Sequence, residues 1–434
     1  MRVAIFAGTY GAFKPSGAAT GPAIVALNLA KALNRHSGLE FRMHVQTPIS
    51  PESQQPNVEG LTETHFRQEY LDTFDAIHIV SGRETALRIS DMGYVPIIGT
   101  NVVYSVPNQN ANPNQTGELQ KIIEQEMEID RRKWSLNLTP NEKELGPLHS
   151  KRSGMPREKV IAFPCGIDTE LFRPDENVER DLIVASVPGP NKGGDLILEL
   201  ARCFPNEKWA LLGKDGPYRY GDSVKYFQRA KVYIAASRWE SQGIATMEAV
   251  ASGAPLINAR QKYATDDGRG PIERDPFYCT EAGLVVGRSV AELKSALELL
   301  LGSAALREHI SKVGRQYIMD NFTLRHMAER YKKIVDLSVE EANHALSTES
   351  LFQNGVRLRE GKDYWAAITA FEQVIKRQPG NFNAYANIGM AYRDLGQRDE
   401  AIQSFQKALE IKPDHTFSLQ NFGRLSKQFD LFLR

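Results

Sequence analysis

The sequence has few cysteines and no excess of charge of either sign. Its three cysteines, Cys165, Cys203 and Cys279, are widely spaced and form no CxxC pair, so neither a disulfide framework nor a zinc site is indicated. Lys plus Arg equals Asp plus Glu at 53 each, which removes the general attraction that non-specific nucleic-acid binding requires. We therefore expect reduced thiols, a cytoplasmic location and no nucleic-acid partner.

Long apolar runs are also lacking. No stretch approaches the roughly 18 uninterrupted apolar residues of a membrane span, which leaves at most peripheral membrane contact. The start, MRVAIFAGTYG, has an apolar run too short for the core of a signal peptide and continues into a glycine-rich turn. We interpret it as a first β-strand.

Alternating strand and helix patterns occur twice along the chain. A chain of 434 residues is too long for one hydrophobic core, at about 150 residues per domain. Short apolar runs alternate with helices from RVAIFAG to KVIAFP and, after GIDTELFRPDE, again from DLIVASV to GLVV. Such alternation predicts parallel sheets. We predict an α/β protein with two Rossmann-like halves facing a cleft at the carboxyl ends of their strands.

The last part of the chain repeats with a period of 34 residues. Gly355 matches Gly389 and Phe371 matches Phe405, as expected for tetratricopeptide repeats, in which small residues lie where two helices approach closely. The second copy is the better match, and a truncated third copy from about Thr416 predicts a capping helix. The repeats could serve as a partner groove, or only as extra packing or a dimer contact.

The first loop, GTYGAFKPSGAATGP, is rich in glycine. Thr20 can cap a helix whose first position is Pro22, and exposed N–H groups there suit a phosphate. The glycines do not have the GxGxxG spacing of dinucleotide-binding proteins, which counts against a nicotinamide-dependent oxidoreductase. The alternative is that they only permit a tight turn.

The segment SRWESQGIATMEAVASG places two glutamates around the start of a helix. With Gly243 as N-cap, the helix runs over 244–252 and Glu248 lies near its fifth position, too deep for a capping box. A buried glutamate there needs a partner such as a pair of ribose hydroxyls or an arginine. Glu240, in the turn, would face the cleft. The alternative is a solvated Glu240 and a salt-bridged Glu248.

These residues resemble the retaining GT-B glycosyltransferases of family 4, marked by an E-x7-E pair in the second domain. The resemblance covers about 340 residues, from VAIFAG to MAERYKKIV. SRWESQGIATMEAVASGAPLI is similar to the family's most specific motif, and FPCGIDTELFRP to its interdomain segment. The implied domains are 1–168, completed by a helix over 323–340 that crosses back, and 169–322, with repeats over 346–434.

The resemblance implies roles for individual residues. By this resemblance Glu240 would contact the donor sugar, Glu248 the ribose and Lys192 the diphosphate, and Lys192 and Glu240 would be the catalytic residues. Backbone N–H groups of Gln242, Gly243 and Ile244 face the sugar and phosphate, and the first-domain loop contributes Gly17 to the donor site.

Two positions depart from the family pattern. Ser186 stands in the region where an arginine usually pairs with the lysine, and Asn101 stands where a histidine is frequent. His78, in DAIHIVSG, is interpreted equally as an active-site residue or as a packed strand histidine. Asn101 and His78 are thus the candidates for a first-domain acceptor site.

The expected function is transfer of a sugar, with retention, from a nucleoside diphosphate sugar to an acceptor hydroxyl. No DxD motif is present, so we expect neither a metal nor a cofactor. The acceptor is a glycan or a protein, and the repeats suggest a protein partner. The alternative is a non-catalytic, glycosyltransferase-like scaffold or assembly subunit, which the two departures favour.

Overall fold

A computed structural model describes most of the chain. The residues described are 1–8, 21–46, 54–71, 73–80, 89, 97–100, 134–139, 157–187, 190–213, 221–238, 240, 242–263, 272–276, 279, 281–345 and 347–432. They form two units, residues 1–338 and 339–434. No helix among these residues has the length and the apolarity needed to cross a bilayer.

A seven-stranded sheet forms the first part of unit 1. Its strands are β1 (Arg2–Ala7), β2 (Glu40–Val45), β3 (Val58–Gly60), β4 (Ala76–Val80), β5 (Ile97–Thr100), β6 (Trp134–Thr139) and β7 (Val160–Ala162). They lie in the order β3-β2-β1-β4-β5-β6-β7, and each neighbouring pair is parallel. Helix α1 (Gly21–His36) follows β1, and a short helix α2 (Gln68–Leu71) precedes β4. Five consecutive buried residues of β1, Val3–Ala7, are consistent with a central strand covered on both faces.

A five-stranded parallel sheet forms the second part of unit 1. Its strands are β8 (Leu182–Ser186), β9 (Lys208–Leu212), β10 (Ala230–Ala235), β11 (Leu256–Ala259) and β14 (Gly283–Val286), in the order β14-β11-β10-β8-β9. The helices between and after them are α3 (Gly194–Cys203), α4 (Val224–Gln228), α5 (Ile244–Ala251), α6 (Val290–Gly302), α7 (Ala304–Asn321) and α8 (Leu324–Ala345). The two predicted parallel sheets are thus confirmed.

Some elements differ from the sequence-based expectation. Strand β3 and the antiparallel pair β12 (Gln261–Tyr263) and β13 (Ile272–Arg274) were not predicted, because three-residue strands have too few positions for a periodic signal. Helix α8 continues to Ala345 rather than ending near residue 340. The added stretch contains neither glycine nor proline, so nothing in its sequence stops the helix.

Five helices form unit 2 together with the end of α8. They are α9 (Thr348–Glu360), α10 (Tyr364–Arg377), α11 (Phe382–Asp394), α12 (Arg398–Ile411) and α13 (Thr416–Phe432). A Cβ on Gly355 would lie 2.7 Å from the ring of Phe371, so the close approach predicted from the repeat is present. Gly396 has φ 77°, and Lys362 takes the equivalent position of the first repeat with φ 64°. The displaced glycine Gly361 therefore leaves a lysine in the left-handed region.

Gly389→Ala is expected to destabilise unit 2 selectively. Its Cβ would lie 2.9 Å from the ring of Phe405, which is fully buried, and overpacking of this kind costs about 1–3 kcal/mol. Gly423→Ala is the matched control, because α13 has open space at that position and alanine favours helix by up to about 1 kcal/mol. Hydrogen exchange followed by mass spectrometry measures both units separately. Equal effects of the two substitutions, or faster exchange in unit 1, would contradict the assignment.

Candidate functional site

Lys192 and Glu240 meet at the carboxyl ends of β8 and β10. Lys192 ends a 3₁₀ helix, Pro190–Lys192, that follows β8, and Glu240 lies in the turn after β10. Their side chains form an ion pair, and the Ser237 hydroxyl donates a hydrogen bond to Glu240 Oε1 over 2.9 Å. This edge is where open parallel sheets bind ligands. A cation and a carboxylate therefore lie together at the position expected for a ligand.

Gly193 holds the Lys192 loop against the end of β10. It is the N-cap of α3 and has φ 69°, in the left-handed region that favours glycine. A Cβ there would overlap the carbonyl oxygen of Ala236. Only glycine therefore allows this close approach of the two loops.

Gly193→Ala is expected to destabilise unit 1 by about 2 kcal/mol, within the range that strained backbone positions cost. Gly302→Ala is the matched control, since a Cβ there meets nothing within 4 Å. Urea unfolding measures the difference. Equal stability of the two variants would refute the proposed contact.

Arg288 is bound to the backbone at the end of β10. The sequence analysis did not identify this residue. Its guanidinium donates to the carbonyls of Ala236 and Ser237 over 2.7 and 2.8 Å, and the residue is buried. It lies shortly after β14 as a single arginine in VVGRSV, without any periodic or motif signal. Its hydrogen bonds fix the start of the turn that carries Glu240.

Glu248 is a buried carboxyl group in the first turns of α5. Gly243 caps this helix with φ 70° and has no side chain to bind the first N–H groups, which have no partners within the helix. Glu248 is 4% exposed, and its Oε1 has no hydrogen-bond partner among the residues described. Burial raises the pKa of Glu248 to about 8, with Lys31 opposing this shift and Asp168 reinforcing it. Among the residues described, no arginine pairs with Glu248, which was one of the two partners expected from the sequence.

A buried ion pair lies close to Glu248. Lys31 of α1 contacts Asp168 over 2.8 Å, and Arg35 contacts the other oxygen of Asp168 over 3.2 Å. Burial alone would raise the pKa of Asp168, but the hydrogen bond and charge of Lys31 and the charge of Arg35 lower it. The pair joins the first sheet's helix to the segment between the two sheets. The sequence signal that could have identified it is Lys31 within the largely apolar helix PAIVALNLAKAL.

His78 is bound inside unit 1. Its Nδ1 lies 2.9 Å from the hydroxyl of Tyr331 on α8, and burial lowers the pKa of His78 to about 3. These contacts are those of a packed strand histidine, which the sequence analysis gave as the alternative to an active-site role. Ser186 ends β8 and is half-buried. Gly17 and Asn101, the other first-domain candidates, lie outside the residues described.

His44, Glu59 and His65 form the group of potential metal ligands in the described part of the chain. Glu59 Oε1 lies 3.2 Å from His44 Nδ1 and 3.7 Å from His65 Nε2. The two rings are stacked, however, with centroids 4.0 Å apart and planes 24° apart, so their in-plane lone pairs cannot converge on one ion. Thr62 also donates its backbone N–H to His65 Nδ1, which leaves the proton on Nε2. This group is therefore not suited to hold a metal.

Family profiles match two parts of the chain. One described as glycosyl transferase-like matches residues 195–333, and a tetratricopeptide repeat profile matches residues 382–415. The second match coincides with the better of the two repeats seen in the sequence, and the first includes both glutamates and α5.

Curated relatives match short stretches. Tetratricopeptide repeat protein 37 of Xenopus laevis is 32% identical over 77 residues, which are 18% of this chain and 5% of that protein. A probable UDP-N-acetylglucosamine–peptide N-acetylglucosaminyltransferase, SPINDLY, of Solanum lycopersicum is 30% identical over 119 residues, 26% of this chain and 13% of that protein. The matches thus span only a small part of these longer relatives.

Solved structures match most of the chain. Sucrose-phosphate synthase of Thermosynechococcus elongatus has a TM-score of 0.57 at 17% identity, covering 77% of this chain and 98% of that one. Anabaena HepE, solved with UDP and glucose, has a TM-score of 0.56 at 11% identity, covering 77% and 99%. These similarities confirm the predicted GT-B fold. The chain therefore combines a glycosyltransferase-like GT-B part with C-terminal tetratricopeptide repeats.

Proposed function

We propose that this protein is a retaining, metal-independent glycosyltransferase of family 4, the E-x7-E type, with a nucleoside diphosphate sugar as donor. The observation that carries the proposal is Glu248, a buried carboxyl group whose Oε1 has no partner among the described residues. It lies within two turns of a helix N-terminus that has no side-chain cap hydrogen bond, where anions bind well. A ribose hydroxyl would supply the missing partner.

Lys192 and Glu240 would each bind a different part of the donor. In the structure they form an ion pair. With donor bound, the Lys192 ammonium is expected to bind the diphosphate and the Glu240 carboxylate the sugar hydroxyls, with the N–H groups of Gln242, Gly243 and Ile244 beside them. Cations and helix N-termini of this kind stabilise negative charge as it develops on a leaving group.

The reaction follows from these placements. The bond between the anomeric carbon and the diphosphate oxygen breaks, and its electron pair stays on the diphosphate. The acceptor oxygen forms its bond to the anomeric carbon on the same face, and its proton passes to the departing phosphate. No other base and no metal is required. The fold similarity to HepE, solved with UDP and glucose, supports a nucleotide sugar as donor.

The repeats are proposed to bind a protein partner or a protein or glycan acceptor, since stacked helix pairs form extended binding surfaces. A chain truncated after residue 346 should then lose activity on that acceptor while keeping nucleotide binding. Unchanged activity on every acceptor would sink this part of the proposal.

Thermal unfolding with UDP, GDP, ADP and NAD tests the donor site. A ligand at one hundred times its dissociation constant adds about 2.7 kcal/mol of stability. We expect one diphosphate to stabilise the parent protein and to lose this effect in Lys192→Ala. Lys208→Ala is the control, because that exposed lysine of the same domain contacts Asp181 outside the site.

The other outcomes would indicate either an oxidoreductase or a non-catalytic scaffold. Stabilisation by NAD alone would indicate an oxidoreductase. Stabilisation by no nucleotide would leave the glycosyltransferase-like scaffold, and binding without turnover of any sugar nucleotide would do the same. The nucleoside diphosphate that stabilises the protein also identifies the nucleobase of the sugar nucleotides to be used in turnover assays.

A further inference from the structure

The segment from Cys165 to Asp168 is held from several sides at the junction of the two sheets. Asn28 of α1 donates to the Gly166 carbonyl over 2.8 Å. The Ile167 N–H donates to the Phe322 carbonyl over 2.7 Å, just before α8 begins. A Cβ on Gly166 would lie 2.8 Å from the Thr323 carbonyl oxygen. The segment therefore contacts both α1 and the start of α8.

Gln242 attaches the turn before α5 to the same segment. Its Oε1 accepts the N–H of Cys165 over 2.7 Å, and its Nε2 donates to the carbonyl of Cys165 over 2.8 Å. Gln242 is 6% exposed and Cys165 is 1% exposed. One side-chain amide thus satisfies both buried backbone groups of Cys165, as a neighbouring strand would.

We infer that the Gln242 side chain is a positioning residue that couples the donor-binding turn to the segment joining the two domains. The E-x7-E motif assigns a role only to the backbone of this position, so the inference adds the side chain. It rests on the proposed function for the donor's identity. The coupling itself is a property of the ligand-free protein.

The chemistry of the amide explains why glutamine suits this position. The two contacts need one acceptor and one donor on the same planar group, which glutamine has. Methionine has a similar length but leaves both groups of Cys165 without partners. An ionised glutamate keeps the acceptor and places an oxygen against the Cys165 carbonyl, whereas a protonated glutamate restores the donor.

Hydrogen exchange of the ligand-free protein tests the coupling directly. In Gln242→Met we expect exchange to rise about tenfold both in residues 163–168 and in residues 243–248, corresponding to about 1.4 kcal/mol. Exchange in β8 should stay unchanged. Gln228→Met is the control, because Gln228 donates to the Arg173 carbonyl elsewhere in the domain. Faster exchange in neither segment, in only one of them, or uniformly across unit 1 would overturn the inference.

Nucleotide affinity gives a second readout. For whichever of UDP, GDP or ADP stabilises the parent, we expect about tenfold weaker binding in Gln242→Met. Gln242→Glu should also bind more weakly at pH 8.5 and recover towards pH 5.5, because position 242 is buried and burial raises the pKa of a carboxyl group above its ordinary value. Because Glu248, Asp168 and Lys31 lie near the segment, each value is divided by the parent's value at the same pH. A ratio that does not vary with pH would contradict the donor–acceptor role.

The two readouts separate the inference from the proposed function. If no nucleotide binds the parent, the donor proposal fails while hydrogen exchange still decides the coupling. If nucleotide binds and exchange in both segments is unaffected by Gln242→Met, the donor proposal stands and the positioning role is wrong.

Discussion

Glu248→Gln is expected to make the ligand-free protein more stable at pH 8 while it weakens nucleotide binding. The folded protein raises the pKa of Glu248 from 4.5 to about 8 through burial. Between these values the folded state holds a proton that the unfolded state releases, so stability from this group is complete below pH 4.5 and is lost as pH rises to about 8. The loss has a slope of up to about 1.4 kcal/mol per pH unit. Glutamine does not titrate and removes this slope.

Urea unfolding of the parent and of Glu248→Gln between pH 5 and pH 8 measures the effect. We expect the two proteins to be nearly equal at pH 5 and the variant to be more stable at pH 8. On the proposed function, in which nucleotide binding ionises Glu248, affinity should fall about tenfold or more, because two carboxylate oxygens can each accept a ribose hydroxyl whereas the amide has one acceptor oxygen. Glu199→Gln, on the exposed side of α3, is the control. A variant that loses stability at pH 8 would contradict the assignment of a buried carboxyl group in need of a ligand.

Asp168→Asn is expected to destabilise the protein by about 3–5 kcal/mol, the cost of leaving one member of a buried ion pair without its partner. Lys31 is buried and its ammonium lies 2.8 Å from Asp168. The amide of asparagine keeps the shape and loses the charge. Because the pKa of Asp168 is lowered in the folded protein, the parent's advantage should be complete above pH 3.8 and decline as pH falls through the lowered value.

A matched variant and a double variant complete the test. Glu170→Gln removes an exposed partner of the same Arg35, and exposed pairs contribute at most about 1 kcal/mol. Replacing both Lys31 and Asp168, as Lys31→Met with Asp168→Leu, should recover most of the lost stability, since apolar replacements of a buried pair are often neutral. If Asp168→Asn and Glu170→Gln have equal effects, the buried pair is not a major source of stability.

Local patterns in the sequence predicted most of the fold. Strands β1, β8 and β10 each contain an apolar run of four or five residues, and the 34-residue repeat predicted the helices of unit 2. Such signals succeed because the period of buried residues is a property of neighbouring positions. The placements of Gly243 and Glu248 were also predictable, since a single contiguous motif carries both. The domain boundaries stay predictions.

Contacts between distant positions could not be predicted in this way. Lys192 and Glu240 are 48 positions apart, Cys165 and Gln242 are 77 apart, and His78 and Tyr331 are 253 apart. Each partner was visible as a residue, but no local pattern says which distant side chain it meets. The family resemblance implied a sugar-binding role for Glu240, and nothing in the sequence indicated its ion pair with Lys192.

By itself, the sequence determined two α/β halves, a repeat of helix pairs and the turn that carries the two glutamates, because these depend on the order of neighbouring residues. The tertiary structure alone decided that the buried Glu248 has an oxygen that meets no described partner. It also decided that Asp168 is bound by Lys31 and that Gln242 closes on Cys165. The physical reason is that desolvation and hydrogen bonding depend on every group around a side chain, and folding brings those groups together from remote parts of the chain.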